Sequence, residues 1–399
     1  VAAVARTLPR RSAVALALLG IALAACNGPQ PSPAPTARSS ATATAPTTAA
    51  PSAATTATPT ANPCNVAQQT PPQGTIPAAF ATALAFAPDG RLFWTERSGT
   101  VKVWQDGAAH DFAKVSTVTA ERGGSYSERG LLGLALSPTF ASDHLVFAFY
   151  SDANYTQQHV IRWRDCAGAS SDAAVIVTLP SGADCCHKGG RLTFGPDGML
   201  YVTLGEEHTS QAAQNTADPR GKILRYKPDG SLPADNPFGA GNPMWAYGFR
   251  NPFGIAISPS GQMAVTSNGP SGDAGSPSTG YDLFYASVQR GKGYQWPDCY
   301  GYSHPLATSS CPAGQPGPDW SSENSTVVPA GVTFVDASGP AAYAGHIVFC
   351  TFTRGMLIFT PGSPHGSVAN GPSTCTLDVK QGPDHALYWS DTAHIYRGA

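Results

Sequence analysis

The stretch Cys185-Cys186-His187-Lys188-Gly189-Gly190-Arg191-Leu192 sets a titratable ring against two glycines. A histidine has its pKa near working pH, so it can take a proton and hold it transiently. Paired glycines let backbone approach a ligand closely. Taken alone, a histidine in such a place is more often an ordinary loop residue. The other residues with chemistry to offer also have plain readings. Glu206, in Gly205-Glu206-Glu207, reads as a solvated loop carboxylate. Arg250-Asn251-Pro252 reads as a strand-end turn, Asn268-Gly269-Pro270 as a second turn, and Glu128-Arg129 as an edge ion pair.

What positions these residues is a recurring element. Directly after His187 comes Phe194-Gly195-Pro196-Asp197-Gly198-Met199-Leu200-Tyr201, an apolar run, a Pro-Asp-Gly turn and a second apolar run. Equivalent turns follow Leu84-Ala85-Phe86, Leu134-Ala135-Leu136, Ile255-Ala256-Ile257 and Val379-Lys380-Gln381. Their prolines, 88, 138, 196, 259 and 383, are separated by 50, 58, 63 and 124 residues. The last gap holds two periods, and Pro329 to Thr360 supplies the degenerate copy, with strand-like Gly331–Phe334 and His346–Phe349. Six copies of about one four-stranded sheet each predict an all-β, six-bladed β-propeller. A β-sandwich or stacked β-domains with shared turn chemistry is the alternative. A propeller binds ligands at its central channel, and its function is read from the site rather than the fold.

The ends and the cysteines place the chain. Residues 1–25 read as a lipoprotein signal peptide, with basic Arg6, Arg10 and Arg11, an apolar run from Ala13 to Ala24, and Leu23-Ala24-Ala25 before a lipidated Cys26. An ordinary secretory signal cut nearby is the alternative. Residues 26–62 are almost wholly Pro, Ala, Thr and Ser, and read as a disordered tether that holds the domain at 63–399 off the membrane. The expected location is therefore the extracytoplasmic face, with membrane contact through the lipid anchor only. Net charge is −2 with 13% charged residues, and no basic run argues for nucleic acid. Past Cys26 stand eight cysteines, an even number that favours disulfides in an exported chain. Cys299 with Cys311 and Cys350 with Cys375 are the expected local pairs. Adjacent Cys185 and Cys186 are expected to bond different partners, Cys166 being the nearest; a vicinal bridge is the alternative.

In collinear order from about Gly74 to Arg397, the chain resembles the glucose/sorbosone dehydrogenase family, the soluble sugar dehydrogenases that use pyrroloquinoline quinone (PQQ). The resemblance rests on Glu128-Arg129-Gly130-Leu131-Leu132-Gly133, His187 with Gly189-Gly190-Arg191-Leu192, and Gly221-Lys222-Ile223-Leu224-Arg225. It continues through Asp229 to Pro237, Gly248-Phe249-Arg250-Asn251-Pro252-Phe253-Gly254, Asn268-Gly269-Pro270 and Gly293-Tyr294-Gln295-Trp296-Pro297.

The resemblance implies an enzyme that oxidises an aldose or related sugar at its anomeric carbon to a lactone, with PQQ as hydride acceptor. His187 matches the general base and Glu206 an acidic position that orients it. Arg250 and Asn251 match the pair at the quinone oxygens, where a guanidinium suits developing negative charge. Asn268 joins the cofactor set, and Gly269 and Pro270 match the backbone carbonyls that bind Ca2+. Glu128 and Arg129 stand on the substrate side. Of the basic residues expected against the cofactor's carboxylates only Arg354 is present; Leu377 stands where the second would be. Lys380, Lys188 and Arg191 are candidates to compensate. Asp273 opens an insertion, Ala274 to Gly280, beside the calcium turn. A non-catalytic carbohydrate- or protein-binding propeller and a calcium-dependent lactonase remain the other classes, and the external electron acceptor is unnamed.

Overall fold

A computed structural model describes residues 64–182, 184–306 and 310–398. The signal peptide, the tether and Cys26 lie outside the described residues, as do residues 307–309. No helix among the described residues is long and apolar enough to cross a membrane.

Each Pro-Asp-Gly-type turn joins the first two strands of one antiparallel sheet. Blade one is Ala81–Phe86, Leu92–Glu96, Thr100–Gln105 and Ala108–Lys114. Blade two is Leu131–Leu136, Leu145–Ser151, Gln157–Cys166 and Ala169–Pro180. Blade three is Leu192–Phe194, Leu200–Leu204, Lys222–Tyr226 and Met244–Tyr247. Blade four is Asn251–Ile257, Met263–Asn268, Leu283–Tyr285 and Trp320–Ser321. Blade five, the degenerate copy, is Pro329–Phe334, Ile347–Thr351, Gly355–Thr360 and Ser367–Asn370. Blade six takes Val379–Gln381, Leu387–Ser390 and His394–Gly398 from the end of the chain and Ile76–Pro77 from its other side, pairing Ile76 with Ile395.

The first strand of each sheet touches the first strand of the next, round to the start, so the first strands line the central channel. The core is six apolar wedges, one between each pair of blades. Phe93, Val103 and Phe140 with Val146 fill the first; Ile76, Trp94, Tyr388 and Ile395 close the ring. Strands packed on both faces are mostly apolar, as in Leu92–Glu96 and Leu200–Leu204, where every residue is buried.

Two cysteine expectations hold, Cys299–Cys311 and Cys350–Cys375. The other is corrected: Cys185 and Cys186 bond each other, and Cys166 bonds Cys64. Cys166 ends the ten-residue strand Gln157–Cys166, whose opposite end neighbours the loop that carries Cys185. At about 3.3 Å per residue, roughly 30 Å of strand separates them, so nearness in sequence misleads.

Candidate functional site

The Pro-Asp-Gly turns cap one end of the ring, and His187, Glu206, Arg250, Asn251, Asn268 and Glu128 emerge at the other. His187 lies on the loop entering blade three, and Glu206 just past the end of its second strand. Arg250 and Asn251 open blade four, Asn268 ends that blade's second strand, and Glu128 precedes blade two.

His187 is buried, at 4% exposure, in left-handed backbone with φ 56°. A non-glycine residue held there is strained, and such strain gathers at functional positions. Its ring is fixed by Nδ1, 2.5 Å from Glu206 Oε1. Its backbone N–H donates to Glu128 Oε2 at 2.7 Å. The glycines serve packing within the protein rather than ligand access. A Cβ on Gly189 would lie 2.8 Å from Gly205 N, and one on Gly205 would lie 2.0 Å from the His187 carbonyl oxygen. The loop is thereby pressed onto the strand end that carries Glu206.

Burial, reinforced by the Arg250 guanidinium, pushes His187 down to about 3, so its ring is neutral at working pH. Burial pushes Glu206 up to about 7. Glu206 is fully buried, and its Oε2 has no hydrogen-bond partner among the described residues. Ionised, Glu206 accepts the Nδ1 proton and leaves Nε2 as a free base; protonated, it donates to Nδ1 and forces the proton onto Nε2.

Arg250 pairs with Asp273, Nε to Oδ2 at 2.7 Å and Nη2 to Oδ1 at 2.9 Å, and its guanidinium lies 5.7 Å from the Trp296 ring. Burial alone would raise Asp273, but Arg250 overrides it and holds the carboxyl down at about 2. Asp273 thus belongs to the site, a role its position at the start of an insertion does not reveal. Asn251 is fully committed: its Oδ1 accepts from Gly189 N, and its Nδ2 donates to Glu128 Oε2 and Asn268 Oδ1. It locks three loops together and has no donor left over. Gly269 is held by Asp282, which also accepts from the backbone N–H groups of Val327 and Val328.

Two candidates lie away from these groups. Arg129 is fully buried and spends its guanidinium on Glu121, Ser181, Gly182 and Asp184. It braces the loop leading to His187 instead of lining the cleft. Arg354 sits in the exposed turn after Ile347–Thr351 and donates to Asn370 Oδ1 at 2.8 Å on the outermost strand of blade five. Lys188 turns back to Glu207, at 3.2 Å, and Lys380 to Asp378.

Beside the base lies a cavity of about 260 Å3 whose walls include Phe80, Tyr126, Phe253 and Phe352, with Glu128 and Asn268 at one side. Its cations are Arg97 and Arg191; Leu377 contributes apolar wall. Arg191 is buried and spends its guanidinium within the protein: Nε donates to Phe253 O, Nη1 to Thr82 O and Nη2 to Leu377 O, with Asp378 3.7 Å away.

The sequence profile of the glucose/sorbosone dehydrogenase family matches residues 78–395. The chain belongs to that family. It is 28% identical over 331 residues to the aldose sugar dehydrogenase YliI of Escherichia coli, covering 77% of this chain and 85% of that one. It is 29% identical over 257 residues to quinoprotein glucose dehydrogenase B of Acinetobacter calcoaceticus, covering 55% and 50%. The fold matches the PQQ-bound aldose sugar dehydrogenase of Streptomyces coelicolor with TM-score 0.63 at 22% identity, over 83% of this chain and 95% of that one. The cavity's chemistry fits a planar quinone bearing carboxylates. Aromatic walls with exposed Tyr126 (72%) and Phe352 (49%) suit a flat ring, and Arg97 and Arg191 add positive charge while their donors are held by backbone carbonyls.

Proposed function

We propose that this protein oxidises an aldose or related sugar at its anomeric carbon to a lactone, with His187 as general base. The observation that carries the reading is the His187–Glu206 contact, buried against Arg250, which fixes a neutral imidazole with Nε2 left to act. His187 Nε2 takes the proton of the anomeric hydroxyl, and Glu206 compensates the imidazolium that results. Glu128 and Asn251 hold the base's loop in place. Arg250 presents positive charge where oxygen becomes anionic. PQQ, when bound, supplies the quinone that accepts the hydride. Arg250 and Asn268 would hold it beside the aromatic walls, and the carbonyls of Gly269 and Pro270 would hold Ca2+ through hard oxygen ligands. We assign the chain to the extracytoplasmic face, anchored through lipidated Cys26, on the strength of its N-terminal sequence.

Purified protein supplied with Ca2+ and PQQ should reduce an artificial acceptor when given aldoses, with lactone appearing in step. Absence of turnover with every aldose, together with no PQQ binding at micromolar level, would sink the reading. A carbohydrate- or protein-binding propeller is the second reading, favoured by Arg354 turning to Asn370 and by apolar Leu377 in the cavity wall. Sugar binding without turnover would select it. Consumption of a lactone without quinone would select a hydrolase.

A further inference from the structure

We propose that His208, clamped by Asp184, is a positioning residue for His187 that governs how readily the buried imidazole takes up positive charge. The inference rests on His187 being the base and adds a second histidine to its control.

The two imidazole rings meet edge to face, with centroids 3.9 Å apart and planes at 79°. His208 Nδ1 lies 2.7 Å from Asp184 Oδ2, and Asp184 Oδ1 accepts from Cys185 N at 2.6 Å, so the clamp is fixed to the loop that carries the base. Glu207 and His208 both have left-handed backbone, with φ 54° and 55°. That geometry sends three consecutive side chains to three partners on the facing loop: Glu206 to His187, Glu207 to Lys188, and His208 to Asp184. Three such non-glycine residues, counting His187, cost strain that ordinary loop closure does not need.

The charges around His208 are few. From the facing loop come Asp184, His187 and Lys188; from its own segment come Glu206 and Glu207, and Arg220 reaches Thr209. Across His187 stand Arg250, Asp273 and Glu128, the last accepting from its backbone N–H. Lys188 is paired with Glu207, and Arg250 with Asp273. His208 is the second imidazole in contact with His187, and positive charge on it opposes positive charge on that ring. It is also the more accessible ring, its side chain 31% exposed against 5% for His187. A proton on His208 opposes a second one on His187 and favours ionised Glu206, so it keeps the base competent to lower pH.

The test uses His208→Phe, which keeps a ring without charge, and His208→Gln, which keeps a donor for Asp184 without the ring. Two readouts are needed: kcat/KM against pH for the enzyme loaded with Ca2+ and PQQ, and 15N NMR titration of the His187 ring in the protein without cofactor. Both variants should move the acid limb of kcat/KM upward by about 0.5–1 pH unit, the scale of one screened charge at this range. The His187 ring shifts should move the same way. An unmoved limb with unmoved ring shifts overturns the proposal. So does a wild-type profile in His208→Phe beside a shifted one in His208→Gln, since packing alone would then explain the contact. If the loaded wild-type protein does not turn over, the base assignment fails, whereas the NMR titration still decides the role of His208.

Discussion

Blade three carries a charged cluster at each end, and the two are built in opposite ways. At the turn end, Asp197 accepts from Arg225 Nε and Nη2 at 3.0 and 2.9 Å, from Tyr201 Oη at 2.9 Å and from Met199 N at 3.1 Å. Blade six repeats the arrangement with Asp384, Arg397 and Tyr388. These groups are paired, and the carboxylates are partly open to water. At the loop end, His187 and Glu206 meet Arg250 and Asp273 of blade four, a set that occurs once among the described residues, is deeply set, and leaves one carboxylate oxygen without a partner there. Burial there drives acid and base toward their neutral forms. Repetition marks the charges that hold blades together; its failure marks the charges with work to do.

That division can be broken by experiment. The largest effect is expected of His187→Ala, which should lower kcat by roughly 10²–10⁴-fold while PQQ binding, followed by its absorbance, stays near wild type. Unchanged turnover would remove the loop end's claim to chemistry. Next is Glu206→Gln. In the wild type, kcat/KM should rise with pH through about 7, as Glu206 loses its proton and frees Nε2 of His187. The variant should lose that limb. The same group bears on stability: its folded value lies above the ordinary 4.5, so its contribution is full below 4.5 and is lost as pH rises through about 7. Thermal unfolding should therefore show a pH slope over that window that Glu206→Gln flattens.

At the turn end the expected effects are on stability alone. Arg225→Met removes a guanidinium 5% exposed from partners that face water, and should cost about 1–2 kcal/mol by denaturant unfolding with kcat unchanged. Arg397→Met, at the more open copy, should cost about 0.5 kcal/mol. A fall in kcat beyond the loss of folded protein in either variant would blur the contrast between the ends.

The fold was legible because the first hairpin of each blade carries its own turn chemistry. Blade five was harder, since Asp336-Ala337-Ser338-Gly339 replaces the Pro-Asp-Gly turn. The outer strands, such as Ser367–Asn370, are largely exposed and carry no periodic signal. In the site, the meeting of His187 with Glu206 and of Asn251 with Asn268 followed the order of the matching segments. Asp273 did not, because its partner Arg250 lies across a strand pair and a loop. Nor did the turning away of Arg129 and Arg354, since nothing in sequence states which carbonyl or amide a guanidinium will find. His208 had one signal available: Glu206-Glu207-His208 is a run of three titratable residues in a chain with only 13% charged residues.

The seam in blade six carries a different consequence. Ile76–Pro77 pairs with His394–Gly398, so the ring is shut by residues from the two extremes of the domain. The two partners are more than 300 residues apart in sequence, so this pairing is among the most non-local in the domain and the circle cannot lock until it forms. Until then five sheets wait with one flank bare, exposing Trp94 and Leu84 to whatever chaperone or protease is at hand. Loss of the strand His394–Gly398 would thus not trim the ring but unbuckle it.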